Sequence, residues 1–298
     1  MSLKSLVDDP DEILSHWPLK PRRYHRDPKQ FEALLSLKEV TTLIDAECLP
    51  MRNIALLKDG TVFERHTYAA GEMPRRGAVR AHLDSGGSVS LRKLETLKPD
   101  IAELYRSLQQ ETGYGVHINA YLTPPHNQGL KYHYDPYLTL ILQVHGTKAW
   151  PVHLPFVEAP VQEYASFHTD GFTEEQKQFL ANTPPVETFT LGPGDVLWLP
   201  RGYVHSPYTV GEEASLHLTI AFKERTPHWV AAEIADAVLK QALANPEMRR
   251  QIEPIELTDA PQRAVRNVKE YLVGALLHLD EERMADLVRQ SAERPLEG

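Results

Sequence analysis

Short apolar segments separated by turn residues fill the middle of this 298-residue chain. Between residues 116 and 222 these segments are rich in aliphatic and aromatic residues, and glycine or proline interrupts the chain between most of them. The predicted strands are Val116–Leu122, Tyr137–His145, Ala149–His153, Val186–Leu191, Asp195–Leu199 and Ala214–Phe222. Many short strands with regular turns predict an antiparallel barrel or jelly roll, so the fold is mainly β with helical flanks.

The two flanks of this region have different patterns. In the N-terminal flank the pattern predicts short helices at 11–16 and 28–37, and strands at 40–46 and 54–68 with a turn at Asp59-Gly60. It also predicts a mainly helical segment at 89–110 that is interrupted at Pro99. The C-terminal flank predicts amphipathic helices at 229–243, 260–277 and 280–291. We therefore predict a barrel domain with N-terminal helical and strand additions over residues 1–225, and a helical region over residues 226–298.

The helical region has apolar stripes that must be buried somewhere. A homodimer interface is the interpretation we favour, and packing against one side of the barrel is the alternative.

The net charge of −9 disfavours a nucleic-acid partner, because that binding requires clustered lysine and arginine. The single cysteine, Cys48, allows no internal disulfide, and no segment approaches the ~20 apolar residues of a membrane span, so we expect a soluble cytoplasmic protein.

A possible metal-ligand set is divided between two parts of the barrel region. His133 and Asp135 are two residues apart, so on a strand they would share a face. His205 follows a Gly-Asp turn, a short apolar strand and Pro200-Arg201-Gly202, an arrangement that can return it to the barrel mouth. Two histidines and one carboxylate occupy one face of an octahedral metal and leave the other face open, as in non-haem Fe(II) oxygenases. Fe(II) is the predicted metal, although manganese, nickel or zinc could occupy the same ligands.

Lys148 is a candidate for binding an anion in the same pocket. It follows the predicted strand 137–145 and the turn His145-Gly146-Thr147, so its own strand can return beside the metal ligands. A buried lysine is costly unless an anion pairs with it, and the distal carboxylate of 2-oxoglutarate would be such an anion. The alternative is an ordinary solvated lysine at a turn.

Further polar residues alternate along the neighbouring predicted strands. Asn119 and Tyr121 share one face of the strand before the metal pair, and both can donate hydrogen bonds to a carboxylate, unless they reflect ordinary strand polarity. On the last strand of the barrel, Ser215, His217, Thr219 and Ala221 alternate with leucine and isoleucine. This small polar face is predicted to line the pocket. His217 is more typical of a hydrogen-bonded pocket histidine than of a fourth metal ligand.

These motifs together resemble the JmjC-type ribosomal oxygenases, which belong to the cupin-like 2-oxoglutarate/Fe(II) oxygenases. The resemblance is carried by residues 119–135 (NAYLTPPHNQGLKYHYD), 142–150 (LQVHGTKAW), 194–205 (GDVLWLPRGYVH) and 215–220 (SLHLTI). It extends over roughly residues 10–225, and it is strongest from about residue 85 onwards. The order and the spacing of the motifs make the resemblance specific.

The resemblance implies a double-stranded β-helix, Fe(II), and 2-oxoglutarate and dioxygen as cosubstrates. It implies His133, Asp135 and His205 as metal ligands and catalytic centre, with Lys148 on the distal carboxylate. Asn119, Tyr121, Thr139 and Thr219 are the remaining candidates for the cosubstrate pocket, and Tyr137, His126 and His217 for the substrate pocket. Members of the family hydroxylate His, Arg or Asn side chains in proteins, usually at the β-carbon, and dimerise through helices that follow the barrel.

The chain departs from the family pattern near the expected substrate mouth. His126-Asn127 replaces Gly-Ser, Pro136 replaces an acidic residue, and Ala221 replaces a serine. The C-terminal region is short for the winged-helix module of ribosomal oxygenases. We therefore expect hydroxylation of a side chain, with histidine favoured, in a protein or in a natural-product precursor peptide. The alternatives are demethylation, oxidation of a small molecule, and a non-enzymatic cupin-like module that binds metal.

Overall fold

The computed structural model describes residues 1–292, apart from the side chain of Thr169. Its contacts divide these residues into two units, 1–224 and 225–292. The strands of the first unit are β1 Arg22–His25, β2 Ile54–Lys58, β3 Thr61–Val62, β4 Ala69–Ala70, β5 Met73–Pro74, β6 Ser88–Leu91, β7 Gly115–Thr123, β8 Leu138–His145, β9 Thr147–His153, β10 Glu187–Leu191, β11 Asp195–Leu199, β12 Val204–His205, β13 Tyr208–Val210 and β14 Ser215–Lys223. Its helices are α1 Pro10–Ser15, α2 Pro28–Leu34, α3 Leu37–Asp45, α4 Ala78–Asp84, α5 Pro99–Thr112, α6 Phe167–Asp170 and α7 Glu174–Asn182.

Two antiparallel sheets build the barrel of the first unit. The larger sheet has the order β1-β11-β8-β14-β7-β6-β2-β3. The smaller sheet has the order β10-β9-β12, with β13 also paired to β9. Side chains from both sheets meet in one apolar cluster, in which Ile141 and Leu197 of the larger sheet pack with Trp150 and Phe189 of the smaller one. The predicted double-stranded β-helix with helical flanks is confirmed.

Alternation along the central strands separates the outer core from the barrel interior. The apolar residues Ile118 on β7, Leu140 on β8 and Leu218 on β14 are fully buried in the large core cluster, together with apolar residues of α2, α3 and α5. The residues between them, such as Asn119 and Thr219, which are register partners, lie on the opposite face of the sheet. The polar residues that alternate with this core, such as Asn119 and Thr219, therefore face the barrel interior together.

In the N-terminal flank one predicted element is wrong, and the predicted helical segment 89–110 starts too early, although its helix from Pro99 is confirmed. The predicted strand 40–46 is instead the end of α3 and its C-cap Ala46, because Ser36 and Glu39 form a reciprocal capping box that starts a helix. Val89 is not helical but lies in β6, where it pairs with Leu56 and Leu122. The alternation Ser-Val-Ser-Leu is a strand pattern that the helical spacing of the following residues obscured. The predicted turn at Asp59-Gly60 is confirmed, since β2 pairs with β3 across it.

The second unit consists of helices. They are α8 Pro227–Ala242, α9 Pro246–Arg249, α10 Pro254–Asp259, α11 Pro261–Leu277 and α12 Glu281–Ala292. Helix α8 contacts both α11 and α12, and Arg225 donates a hydrogen bond to the carbonyl of Ala292 at 2.7 Å. Large apolar side chains remain exposed on this unit: Leu239, Leu243, Ile255, Leu257, Val265, Val273, Leu276 and Leu277. Within residues 1–292 no helix has the length and apolar character needed to cross a bilayer.

Candidate metal centre and cosubstrate pocket

His133, Asp135 and His205 converge at one end of the barrel interior. Their ligand atoms all lie within 4.8 Å of one another. His133 and His205 are held together by two backbone hydrogen bonds, N–H to carbonyl in each direction, at 3.0 and 2.8 Å. The carbonyl of Asp135 accepts a further hydrogen bond from Gly202 N–H at 2.9 Å. Residues separated by about seventy positions in the chain are thus fixed at a single point by the backbone.

The two imidazoles are oriented for metal binding. Nδ1 of His133 lies 2.8 Å from the carbonyl oxygen of Lys131, and Nδ1 of His205 lies 2.9 Å from that of Tyr203. An imidazole that donates through Nδ1 keeps the lone pair of Nε2 free for a metal. Nε2 of His205 is 3.9 Å from Oδ2 of Asp135. The donor set of two neutral nitrogens and one carboxylate suits a divalent transition metal with open positions.

The protonation states of the three residues also favour metal binding. Burial, with a contribution from His205, lowers the pKa of His133 to about 3, and burial also lowers the pKa of His205. Burial raises the pKa of Asp135, but the nearby imidazoles of His168, His133 and His205 outweigh it, and the net pKa is lowered. Neutral imidazoles and an ionised carboxylate are the forms that bind a metal.

The predicted cosubstrate residues lie on neighbouring strands of the larger sheet. Thr219 pairs with Asn119 on β7 and with Ile141 on β8, and Thr139 pairs with Ala221 one step further along β14. The amide oxygen of Asn119 accepts a hydrogen bond from Lys93 N–H at 3.0 Å, which leaves its nitrogen as a donor. The fold therefore brings Asn119, Thr139 and Thr219 to the inner face, and Tyr121 lies on the same face two residues after Asn119.

Lys148 reaches the same interior from the smaller sheet. It is 3% exposed, and its Nζ donates a hydrogen bond to the hydroxyl of Thr123 at 3.0 Å. In the part of the chain that the structure describes, no carboxylate forms an ion pair with Lys148. Burial lowers the pKa of the Lys148 ammonium to about 7. A buried amine with unused donor capacity is a position where an anion would bind favourably.

The unpaired amine of Lys148 gives the metal-free protein a specific pH dependence. The unfolded chain, where the pKa of Lys148 is 10.5, binds more protons above pH 7 than the folded chain. We therefore expect that Lys148 makes the free energy of unfolding increase from about pH 7 to pH 9, and that Lys148→Met removes this contribution. Urea denaturation across this range measures the slope. Lys177→Met is the control, and equal slopes for all three proteins would contradict the assignment.

The three predicted substrate residues have different positions. His217 stacks on Tyr121 with ring centroids 5.1 Å apart and contacts Trp150 edge-on at 5.3 Å, so it lies inside the barrel. Tyr137 packs edge-on against His117 at 5.6 Å, and the charge of Asp135 contributes to raising its pKa after burial. His126 instead lies at the surface with a side chain 61% exposed, and its Nε2 is 3.2 Å from Glu212. A substrate role for His126 is not supported by this placement, because its loop leaves the barrel at the far end of β7.

Three residues near the site escaped the sequence analysis. Thr209 on β13 pairs directly with Lys148, and its buried hydroxyl has no hydrogen-bond partner among the described residues. His168 and Phe167 come from α6, in the long connection between β9 and β10. Nε2 of His168 lies 3.9 Å from Oδ1 of Asp135, and the ring of Phe167 lies 6.2 Å from that of His133. Thr209 could have been found by pairing its strand with that of Lys148, since register partners face the same side of a sheet. No local sequence pattern predicts that the α6 residues Phe167 and His168 approach the ligands.

Known proteins are similar to this chain in sequence and in fold. A family model described as "JmjC domain" matches residues 93–229. A "Bifunctional lysine-specific demethylase and histidyl-hydroxylase NO66" from Aedes aegypti is 30% identical over 240 residues, which are 78% of this chain and 35% of that protein. "Ribosomal oxygenase 1" from Rattus norvegicus is 33% identical over 171 residues, which are 56% of this chain and 27% of that protein. The chain thus spans about a third of the length of these curated relatives, or less.

Solved structures match the fold over most of the chain. The ribosomal oxygenase YcfD from Escherichia coli superposes with a TM-score of 0.55 and 18% identity, covering 93% of this chain and 68% of that protein. Another structure of YcfD, with a TM-score of 0.54, contains cobalt and 2-oxoglutarate. At 18% identity the similarity to YcfD shows a shared fold, whereas the matched domain and the curated relatives show similarity in sequence. Residues 93–229 of the chain therefore form a JmjC domain, and over this domain the chain is similar to the ribosomal oxygenases.

Proposed function

We propose that this protein is an Fe(II)- and 2-oxoglutarate-dependent oxygenase that hydroxylates a side chain in a protein or a precursor peptide. The observation that carries the proposal is the three-residue ligand set His133, Asp135 and His205, in the same barrel as an unpaired buried lysine. A ligand set of this kind leaves coordination positions for a bidentate keto acid and dioxygen.

The residues of the pocket fit 2-oxoglutarate at both of its ends. Lys148 would bind the distal carboxylate, and the hydroxyls of Thr123 and Thr209 lie beside it. Asn119 would donate from its amide nitrogen to the carboxylate near the metal. YcfD, whose fold is similar, has been solved with cobalt and 2-oxoglutarate. Tyr121, Thr139 and Thr219 complete the wall of the cosubstrate pocket in this proposal.

The bound metal and cosubstrate would supply an oxidation in which dioxygen and 2-oxoglutarate become succinate and carbon dioxide, with one oxygen atom in succinate and one in the new hydroxyl group. The protein contributes binding and orientation. His133, Asp135 and His205 fix the metal, while Lys148 sets the direction from which the keto acid approaches. The ring of Trp150 contacts those of His205 and His217, and these ring contacts would help to exclude water from the reacting atoms.

Histidine is the target residue that we favour, because relatives carry the name histidyl-hydroxylase. Arginine and asparagine remain alternatives. The same relatives are also named lysine-specific demethylases, so N-demethylation is the second candidate function. Release of formaldehyde from a methylated substrate would identify demethylation. Location in the cytoplasm is part of the proposal, and the single free cysteine, Cys48, is compatible with it.

The experiment that tests the proposal uses the purified protein with Fe(II) and 2-oxoglutarate under anaerobic conditions. We expect the weak visible charge-transfer band of a keto acid chelated to Fe(II), and formation of succinate once oxygen is admitted. A folded, metal-loaded protein without this band and without succinate would contradict the proposal and would favour a metal-binding module without oxygenase chemistry.

We further propose that the second unit forms a homodimer. Its exposed apolar residues include Leu277, 78% exposed, and Val265, 65% exposed. We expect sedimentation equilibrium to give twice the chain mass of 33.8 kDa, and Leu277→Asp to shift the protein towards the monomer. Leu154→Asp, at a residue 60% exposed on the first unit, should leave the dimer intact. A monomeric mass for the unmodified protein would contradict the proposal.

A further inference from the structure

Arg92 is a cation without a carboxylate partner among the described residues, and it follows β6 at the edge of the barrel interior. Ser88 and Ser90 of β6 face the barrel interior, since Ser88 donates to the hydroxyl of Thr123 at 2.9 Å and Ser90 pairs with Tyr121. Arg92 is the next residue in this alternation, so it extends the same face beyond the end of β6. Its backbone is fixed by two hydrogen bonds with Asn53, both at 2.8 Å.

The surroundings of Arg92 contain hydrogen-bond donors and further cations. Its charge contributes to lowering the pKa of His117, after burial, and it opposes the burial that raises the pKa of Tyr121 and Tyr137. Lys223, the last residue of β14, also acts on His117, whose pKa is lowered to about 4. His117 is therefore neutral at pH 7, and the positive charge at this end of the barrel comes from lysine and arginine.

Two partly buried carboxylates of the first unit, Glu95 and Glu224, already accept hydrogen bonds from the fold. Glu95 accepts a hydrogen bond from Ile118 N–H at 3.1 Å, and Glu224 accepts from Leu138 N–H at 2.9 Å and from the indole of Trp17 at 3.0 Å. Within residues 1–292 neither forms an ion pair with a basic side chain, and Arg92 has none either. Asp135 belongs to the metal ligands. A cationic substrate would thus find no free carboxylate here, whereas an anionic one would find Arg92.

We propose that Arg92 binds a carboxylate of the substrate, so that this site takes a substrate with an acidic group at or next to the reacting residue. The inference rests on the proposed oxygenase function and specifies its substrate class. Arg92 and Lys223, which both act on His117, contrast with the overall charge of −9, so they would attract an anion locally. The carboxylate can come from an acidic residue of a peptide or from a small carboxylic acid.

The test measures the affinity of short peptides for the full chain, in whichever oligomeric state it has, loaded with Mn(II) and saturating 2-oxoglutarate. The peptides are capped and differ only in the residues beside a central histidine. The probes are Gly-Asp-His-Asp-Gly, Gly-Asn-His-Asn-Gly and Gly-Lys-His-Lys-Gly, with N-acetylaspartate as the small-molecule probe. We expect the Asp-flanked peptide to bind about tenfold more tightly than the Asn-flanked one, as for a charge-assisted hydrogen bond, and its affinity to fall with added salt. N-acetylaspartate binding as tightly as the Asp peptide would support the proposal and identify a small acid as the source.

Arg92→Gln should reduce the preference for Asp over Asn to about one, whereas Arg92→Lys should keep part of it, since a charge remains. The side chain is half-buried and its fold contacts are backbone ones, so both variants should fold. Arg76→Gln, at a side chain 96% exposed, is the control and should keep the full preference.

Three results with the peptides would overturn the proposal, and one with the cosubstrate would do so as well. The first is equal or undetectable binding of the Asp and Asn peptides to the unmodified protein, the second is tighter binding of the Lys peptide, and the third is an Asp preference that persists in Arg92→Gln. Weaker 2-oxoglutarate binding in Arg92→Gln would also overturn it, because Arg92 would then belong to the cosubstrate pocket. A missing keto-acid band in the unmodified protein is a separate result, which concerns the oxygenase function itself.

Discussion

Replacing Asp135 with alanine should abolish succinate formation while the protein remains folded. The carboxylate supplies the one negative charge of the ligand set, and the two neutral imidazoles that remain neither balance the charge of Fe(II) nor complete its protein-bound face. Coupled turnover, followed as succinate produced with 2-oxoglutarate in excess, measures the loss. Circular dichroism checks that the fold is retained.

His168→Ala is the matched control for this change. His168 lies near the other carboxylate oxygen of Asp135 but is not a predicted ligand, so its removal should cost about 10–100-fold, the range for residues that orient a ligand. A protein that turns over at the unmodified rate without the Asp135 carboxylate would overturn its assignment as a ligand. A loss in His168→Ala as complete as in Asp135→Ala would mean that His168 itself binds the metal.

Replacing Lys148 with alanine should chiefly weaken the binding of 2-oxoglutarate. The ammonium is buried and contacts only the Thr123 hydroxyl among the described residues, so its loss removes the charge that the distal carboxylate would meet. Hydrogen bonds to charged groups are worth about 1.5–3 kcal/mol, which corresponds to roughly a 10–150-fold increase in Kd. Titration of 2-oxoglutarate into the Fe(II)-loaded protein, followed by the charge-transfer band, measures this Kd.

The metal affinity should remain unchanged in Lys148→Ala, because none of the three ligands contacts Lys148. Lys148→Met, which keeps the length of the side chain, separates loss of charge from loss of volume, and Lys177→Ala controls for removal of a surface lysine that is 57% exposed. An unchanged affinity for 2-oxoglutarate in both Lys148 variants would remove its role in cosubstrate binding.

The sequence predicted the barrel and the convergence of His133, Asp135 and His205 well, because both depend on local patterns. A period of two residues placed Asn119 with Tyr121 on one strand, and the same period placed Thr219 with His217 on another. The ligands were predictable because His133 and Asp135 are neighbours in the chain and His205 follows a distinctive turn. The strand predicted at 40–46 was wrong because β-branched residues outweighed a capping signal four residues upstream.

The substrate side of the pocket could not be predicted in the same way. The α6 residues Phe167 and His168 approach the ligands only through the packing of a long connection, which has no periodic pattern. Arg92 lies just beyond a strand that the helical spacing of residues 94–108 concealed, so its face was unknown until the register with β7 was determined. His126 shows that proximity in sequence does not fix proximity in space, since a motif position seven residues before His133 lies at the surface.

The way in which the two histidines are oriented has a consequence for how this site tolerates change over evolution. Each Nδ1 is satisfied by the backbone carbonyl two residues earlier in the chain, that of Lys131 for His133 and that of Tyr203 for His205. A backbone acceptor is supplied by any amino acid. Tyr203 is still constrained for a separate reason, because it belongs to the apolar cluster that contains Trp150 and donates a hydrogen bond to the carbonyl of Leu19. The orientation of the two rings does not depend on the identity of the side chains at positions 131 and 203, so it is a local backbone property of each short segment.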